Sequence, residues 1–172
     1  MPTNKEPTKP KGKLNLARFT RNNQGIIDFA ILIEQSDPKN REKIISQTSD
    51  QDPELINQVL KKVVYFEELI YLDEVIIAEI LNNISPKVLA FALRDTEEEF
   101  RKELTGHLDF RKSRLVRDEE GDIGPNSPKD FIFGARRQIL KVARKLEMQN
   151  KFIFEVPDCP RVAGIILKAT NS

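Results

Sequence analysis

The chain has 172 residues, and its 28 basic and 27 acidic residues give a formal net charge of +1. This balance provides no overall positive field, which argues against nucleic acid or an anionic membrane as the main partner. The composition, 39% hydrophobic and 32% charged, is typical of a soluble helical protein. No apolar run approaches the roughly 20 residues that span a bilayer, and no apolar segment follows the N-terminal lysines, so we expect a cytoplasmic protein.

The first 13 residues contain three prolines and four lysines. Apart from the prolines, they offer no apolar side chain after the initiator methionine that folding would bury. We therefore predict a disordered basic tail over residues 1–23. A tail of this kind is more often a solubilising extension than a binding site for phosphate or lipid.

Residues 24–63 show three short helical patterns in series. The second and third begin with Asp37-Pro38 and Asp52-Pro53, in which the acid caps the helix and proline takes its first position. Such a series predicts an armadillo-like unit, which needs a stacked neighbour to cover its apolar face. The residues expected to be buried are Ile26, Ile27, Phe29, Ala30, Ile33, Ile44, Ile45, Leu55, Ile56, Val59, Leu60 and Val63.

Residues 63–72 are too apolar for an exposed loop and too short for a helix of their own. We predict a connector that is packed down by Phe66, Leu69 and Leu72. Two further helices follow, one capped by Asp73 and one opened by Ser85-Pro86. Their expected buried residues are Val75, Ile76, Ile77, Ile80, Leu81, Val88, Leu89, Phe91, Ala92 and Leu93.

Residues 96–122 predict a helix that ends at Gly106 and a second helix that is rich in charge. Thr96 and Glu99 match a capping box at the start of the first helix. Apolar residues then recur at spacings of four, four and seven, which places them on one side of a helical track. The residues expected on this buried side are Phe100, Leu104, Leu108 and Leu115.

The second helix carries charges of both signs on one face. Arg111, Arg114 and Asp118 share an exposed ridge by their helical spacing, and Arg117 and Glu119 lie on its flanks. A run of charges like this one is usually only a solvated face. The alternative is a docking surface, in which Arg114 and Arg117 are candidate additional members.

The last predicted helix has the clearest start signal, since Ser127 stands as N-cap, Pro128 at the first helical position and Asp130 at the third. We expect the longest helix here, ending near Gln149-Asn150. Residues 151–156 are expected to form a short strand or a packed strap, and 157–172 an irregular tail. The residues expected to be buried are Phe131, Ile132, Ala135, Ile139, Leu140, Val142, Ala143 and Leu146.

Residues with catalytic or metal-binding chemistry are sparse. The single histidine, His107, has no second histidine or cysteine at metal-ligand spacing, and the single Cys159 has no partner for an internal disulfide. The glycines form no phosphate-binding loop pattern. We therefore predict no enzyme activity, no cofactor and no metal.

Several spaced motifs then resemble one family. The connector Val-Val-Tyr-Phe-Glu-Glu-Leu, residues 63–69, stands where the flagellar motor switch protein FliG has a Met-Phe-x-Phe-Glu-Asp motif. Four further motifs of the family are matched in the same order, at Leu72-Asp73-Glu74, Phe91-Ala92-Leu93-Arg94, Phe100-Arg101 and Gly124-Pro125. The segment 64–156 is thus similar to the FliG C-terminal domain, and residues 24–63 to the armadillo unit that precedes it. The resemblance implies an all-α fold and a hinge at Val63, Val64, Tyr65 and Phe66.

The resemblance also implies a role for the charged positions. In the family, charges on this domain face the cytoplasmic loop of the stator protein MotA and transmit torque. A family lysine corresponds to Arg94, a family arginine to Arg111, and a family Asp-Asp pair to Asp118 and Glu119. The remaining family arginine corresponds to Ser127, so one of five charges is absent.

The same resemblance implies partners and a location. The armadillo unit would stack on the FliG-type middle domain of another subunit. The N-terminal domain and nearly all of the middle domain, which contains the FliM-binding segment, are expected to be absent. The motor complex would hold the protein peripherally at the cytoplasmic face of the bacterial inner membrane.

Three hypotheses follow for function. The first is a noncatalytic rotor component that contacts the stator. The second is an accessory adaptor or assembly factor that binds rotor proteins without bearing torque. The third and weakest is a nucleic-acid-binding helical protein that uses its lysine tail.

Overall fold

Eight α-helices make up most of the described chain, residues 14–19 and 22–154 of a computed structural model, and these residues contain no strand. The all-α prediction is therefore confirmed. Two short 3₁₀ helices, Leu16–Arg18 and Phe66–Tyr71, precede α1 and α4. The α-helices are α1 (Asn23–Gln35), α2 (Pro38–Gln51), α3 (Pro53–Leu60), α4 (Glu74–Asn82), α5 (Pro86–Ala92), α6 (Glu98–Gly106), α7 (Phe110–Asp122) and α8 (Lys129–Met148).

Capping side chains start four of these helices where the sequence predicted. An Asp37 carboxylate oxygen accepts a hydrogen bond from the Asn40 amide at 3.0 Å, and Asp52 accepts one from the Leu55 amide at 2.9 Å. Asp73 and Ser85 cap α4 and α5 in the same way. Proline occupies the first turn of α2, α3 and α5, where its missing N–H leaves no helical bond unmade.

Two predicted caps are wrong. Helix α6 has Glu97 as its N-cap, and the predicted cap Thr96 instead donates its hydroxyl to the Leu93 carbonyl at 2.6 Å, at the end of α5. Helix α8 has Pro128 as its N-cap, because Ser127 donates to the Gly124 carbonyl at 3.3 Å. In both cases the hydroxyl bonds backward to the preceding turn, so it does not serve the helix that follows.

Three residues predicted to be buried are exposed. Leu115 is 44% exposed, and its neighbour Val116, at 2%, takes the core position. The predicted apolar track crossed the break between α6 and α7, where the chain leaves the helix and the helical phase is reset. Val75 at 74% and Phe131 at 60% lie in the first turns of α4 and α8, where their side chains remain largely in solvent.

The core consists of two hydrophobic clusters. The first cluster is formed mainly by α1, α2 and α3, and the second by Val64 and the elements from Phe66 to Phe154. Phe19 is buried in the first cluster and stacks on Phe29 with ring centroids 4.5 Å apart. Residues 14–19 and 22–23, which were predicted as part of a disordered tail, are therefore ordered, while residues 1–13 and 20–21 lie outside the described part.

The chain after α8 folds back as a strap. Phe154 is buried in the second cluster, and its amide donates to Glu147 at 3.0 Å. The predicted packed strap is confirmed for residues 151–154, which form no strand. Residues 155–156, the tail 157–172 and Cys159 lie outside the described residues.

Candidate interaction surface

Helix α7 rests on the rest of the molecule by one narrow face. Val116 is its single buried residue, and the helix packs against α5. The opposite face carries the predicted charges, here called the charged ridge: Arg111, Arg114, Arg117, Asp118 and Glu119. All are exposed except Glu119, which is half-buried on the flank. The helical spacing read from the sequence therefore placed this face correctly.

The charges of the ridge are not used to stabilise the fold. Within residues 14–19 and 22–154, none of the five forms an ion pair. Both signs of charge are thus presented to solvent at once. A partner with complementary charges could bind these groups without first breaking an ion pair inside the protein.

Two contacts fix the orientation of α7. Lys112 donates from Nζ to the Leu81 and Asn82 carbonyls, at 2.6 and 3.0 Å, at the C-terminal end of α4. Burial lowers the pKa of Lys112, and the nearby Asp109 opposes that shift. Further along, Arg101 of α6 pairs with Glu120 at 2.6 Å. These anchors lie beside the buried face, so they hold the ridge outward.

The order of charges along α7 opposes the helix dipole. Arg111 and Arg114 stand in its N-terminal half and the acidic residues in its C-terminal half, with no acidic residue in the first turn and no basic residue in the last. A helix is stabilised by the reverse arrangement, by about 0.3–1 kcal/mol for each charge in a terminal turn. Apart from its acidic N-cap Asp109, the charge order of α7 is therefore not one that helix stability favours.

Arg94 differs from the other predicted positions. It is half-buried, and its guanidinium donates to the Gly124 carbonyl at 3.0 Å, just beyond the end of α7. Its own carbonyl accepts a bond from Arg136 at 2.8 Å. The structure thus brings Arg94 to the C-terminal end of the ridge, and it also gives this side chain a structural contact.

The predicted hinge residues are all buried, and they alternate between the two clusters. Val63 and Tyr65 belong to the first cluster, while Val64 and Phe66 belong to the second. The backbone between α3 and the 3₁₀ helix is extended at Tyr65, so successive side chains point in opposite directions. One short segment is therefore part of both cores.

A buried ion pair binds the backbone at the start of the connector. Glu34 of α1 and Arg144 of α8 meet through two bonds of 2.6 and 3.1 Å, with side chains 0% and 6% exposed. Glu34 also accepts the Val64 amide at 2.8 Å, and Arg144 donates to the Lys62 carbonyl at 2.6 Å. Both partners thus bind the connector backbone as well as each other.

The two charges of this pair depend on one another. Burial lowers the pKa of Arg144, but its contacts with Glu34 and Glu147 outweigh burial and raise that pKa above its ordinary value. Burial raises the pKa of Glu34, so this carboxylate relies on Arg144 to remain ionised. The pair was not predicted from the sequence, although a glutamate on the apolar stripe of α1, four residues after Ala30, was a signal.

Exposed aromatic residues near the ridge were also missed. Phe110, at the first position of α7, is 80% exposed. Phe131 stacks on Phe91 with ring centroids 5.6 Å apart and leaves much of its surface in solvent. The cap Asp109, which places Phe110 at the exposed start of the helix, was the signal for the first of these.

The described residues give no sign of a metal centre or of a single membrane-spanning helix. Within them, no three His, Cys, Asp or Glu side chains are grouped so that they could hold a metal ion. His107 ends α6 as its C-cap. No helix in this part is both long and apolar enough to cross a bilayer. Helices α4 and α5 pass that test only as a pair, which is bent by 116°.

The described residues thus form an all-helical fold, and one exposed face of α7 carries charges that form no ion pair within them. A model of the FliG C-terminal domain family matches residues 46–154. The chain belongs to this family.

Individual relatives agree with the family match. Flagellar motor switch protein FliG of Borreliella burgdorferi is 26% identical over 129 residues, which are 75% of this chain and 37% of that protein. FliG of Thermotoga maritima is also 26% identical, over 75% of this chain and 38% of the relative. The chain therefore spans less than two fifths of the length of these curated relatives.

A solved structure agrees on the fold. A crystal structure of FliG from H. pylori has a TM-score of 0.57 at 18% identity, and the match covers 78% of this chain and 63% of that one. At this identity the likeness concerns the helical fold alone.

Proposed function

We propose that this chain is a noncatalytic component of the rotor in the bacterial flagellar motor switch, and that the charged ridge contacts the cytoplasmic loop of the stator protein MotA. The observation that carries this proposal is the exposed, unpaired set of both charge signs on α7 in a chain of the FliG C-terminal domain family. Arg111, Asp118 and Glu119 provide the main contacts. Arg94 adds to them at one end, and Arg114 and Arg117 widen the surface.

The first helical unit supplies the attachment in this proposal. Residues 24–63 stack as an armadillo-like unit on the FliG-type middle domain of another subunit, next to FliM. The protein then lies at the cytoplasmic face of the inner membrane, and its contact with the membrane is made only through the motor complex. The similarity to complete FliG proteins, of which this chain spans a part, supports this arrangement.

Charge reversal tests the stator contact. In the native protein, we expect Arg111→Glu with Asp118→Lys to weaken binding of a purified MotA loop by about tenfold or more, because two attractions become repulsions. Binding by the wild type should also fall as salt is added, since the groups are exposed. The measurement is a titration of the loop by fluorescence anisotropy.

Lys87→Glu serves as the matched control, because Lys87 is an exposed charge that is not part of the ridge and lies on a different helix, α5. It should leave loop binding within about twofold of the wild type. An affinity for the loop that changes neither with added salt nor in the double-reversal variant would contradict the stator contact.

A second candidate function is that of an accessory adaptor that binds rotor proteins without bearing torque. Two observations favour it: Ser127 replaces a family arginine, and Arg94 is engaged with the Gly124 carbonyl. Pull-down of the tagged protein from its own cells separates the two functions. An adaptor recovers rotor proteins but no stator protein, with and without the double reversal. A torque-bearing subunit recovers both in the wild type and loses the stator protein in the double reversal.

A further inference from the structure

A narrow crevice lies where the connector meets α2 and α8. It has a volume of about 90 Å³. Its wall includes three arginines, Arg41, Arg136 and Arg137, and one carboxylate, Glu67. The ionisable side chains of the wall, apart from tyrosine, therefore sum to a charge of about +2 at neutral pH.

Tyr65 lines the same crevice and has an unsatisfied hydroxyl. The residue is only 5% exposed, and its hydroxyl has no hydrogen-bond partner among the described residues. Leaving a buried polar group unpaired is unfavourable, so such groups normally have a partner. A hydroxyl that donates one bond suits an anion's oxygen.

The arginines retain donors for a ligand. Arg41 uses its guanidinium on the Ile33 and Glu34 carbonyls, and Arg137 donates to the Gln35 carbonyl at 3.2 Å. Neither forms an ion pair within residues 14–19 and 22–154. Because each guanidinium carries five N–H donors, both have donors that these bonds do not use.

Stacking on the connector holds two of the guanidiniums at the crevice. The Arg41 guanidinium carbon lies 5.6 Å from the Tyr65 ring centroid, and that of Arg136 lies 5.3 Å from the Phe66 ring centroid. Arg136 also donates to the Ala92 and Arg94 carbonyls and lies 3.6 Å from Glu67. The cations are thus positioned before any ligand arrives, which lowers the entropic cost of binding.

We propose that this crevice binds phosphate, as a small tetrahedral dianion that accepts hydrogen bonds from the Tyr65 hydroxyl and from the guanidiniums of Arg41 and Arg137. A water molecule needs only about 10–15 Å³ of such volume, so the crevice has room for a larger polyatomic ion. Arginine is the preferred residue for phosphate because its planar fork matches two oxygens.

Binding at this place would connect the two clusters. Arg41 lies on α2 beside the first cluster, and Arg137 lies on α8, which packs in the second. An ion that bridges them is bound by the folded arrangement and not by the unfolded chain. Phosphate should therefore raise the melting temperature. This inference does not depend on the motor function.

The test is a titration of the native protein with inorganic phosphate, followed by phosphorus NMR and by thermal unfolding at matched ionic strength. Tyr65→Phe removes only a hydroxyl that has no protein partner, so the variant should fold. We expect it to bind phosphate about tenfold more weakly, and Arg137→Gln at least as weakly, because each loses a bond to a charged ligand.

Lys87→Gln is the control for loss of a surface charge, and it should keep wild-type phosphate affinity within about twofold. Acetate at the same ionic strength should raise the melting temperature less than phosphate does. The proposal is overturned if phosphate has no effect, if it acts equally on all four proteins, or if acetate matches it.

Discussion

Tyr65 is a residue whose burial should be measurable as a pH effect. Burial raises the pKa of its hydroxyl to about 12, and the nearby Arg41 opposes that shift. The folded protein thus holds this proton at pH values where the unfolded chain, with a pKa near 10, releases it. Stability should therefore fall as the pH rises from about 10 to 12, by up to roughly 1.4 kcal/mol per pH unit.

Tyr65→Phe should remove that part of the alkaline loss. Urea unfolding of the wild type and the variant across this pH range gives the comparison. Tyr71→Phe is the control, because Tyr71 is 52% exposed and should leave the loss in place. Equal pH dependence in the wild type and Tyr65→Phe would show that other groups cause it.

Removal of the Arg144 side chain should lower the stability of the protein strongly. Arg144→Met leaves the Glu34 carboxylate buried without its partner, which typically costs about 3–5 kcal/mol. Replacing both partners, with Glu34→Leu added, removes the stranded charge and should restore part of that loss. Urea unfolding at neutral pH measures both. A double variant that is no more stable than Arg144→Met would contradict the assignment of the cost to the stranded carboxylate.

At the scale of the element, α7 combines an unfavourable order of charges with an exposed, charged face. Its charges run against the helix dipole, and only Val116 is buried. We expect Arg111→Glu to stabilise the protein by about 0.3–1 kcal/mol, since an acid then stands in the first turn. The same change should weaken binding of the stator loop.

Thermal unfolding at low salt, measured beside the loop titration, checks this opposition. Arg111→Gln is the matched neutral variant and should show about half of each effect. If Arg111→Glu lowers both stability and loop binding, Arg111 supports the fold, and the helix dipole does not determine the effect of this residue on stability.

Local signals made most element boundaries predictable. Asp37, Asp52 and Ser85 each cap a helix with proline directly after the cap, and this device acts within one turn of chain. The face that a helix buries after a break in the chain was not predictable in this way. Leu115 and Val116 exchanged places because the geometry of the turn between α6 and α7 sets which face of α7 meets α5.

The candidate site was predictable only in part, because its members differ in how far their contacts reach. The ridge follows from helical spacing on α7 alone. The Glu34–Arg144 pair joins residues 110 positions apart, so no local pattern could identify the partner. Arg94 was identified from a family motif, but its bond to the Gly124 carbonyl, 30 positions away, appears only in the folded chain.

At the scale of the whole molecule, the two clusters are joined by contacts between α1 and α8. Besides Glu34 and Arg144, Gln35 and Arg137 exchange two bonds of 3.2 Å between side chain and backbone. We therefore expect both clusters to unfold in one cooperative transition, with coincident curves from circular dichroism and from tyrosine fluorescence.

Loss of this coupling should be visible in a variant. Glu34→Leu with Arg144→Met and Arg137→Ala removes the contacts of these side chains between α1 and α8, and the two transitions should then separate. Lys145→Ala on α8, an exposed residue, should leave the single transition intact. A single transition in the triple variant would mean that the connector alone couples the clusters.

The alternation of the connector between the two clusters limits how its length can change. Deleting or inserting one residue between Val63 and Phe66 would exchange the clusters that these side chains enter, much as a one-residue slip inverts the faces of a strand. A change of two residues keeps the alternation. Natural insertions and deletions at this point should therefore occur in even numbers.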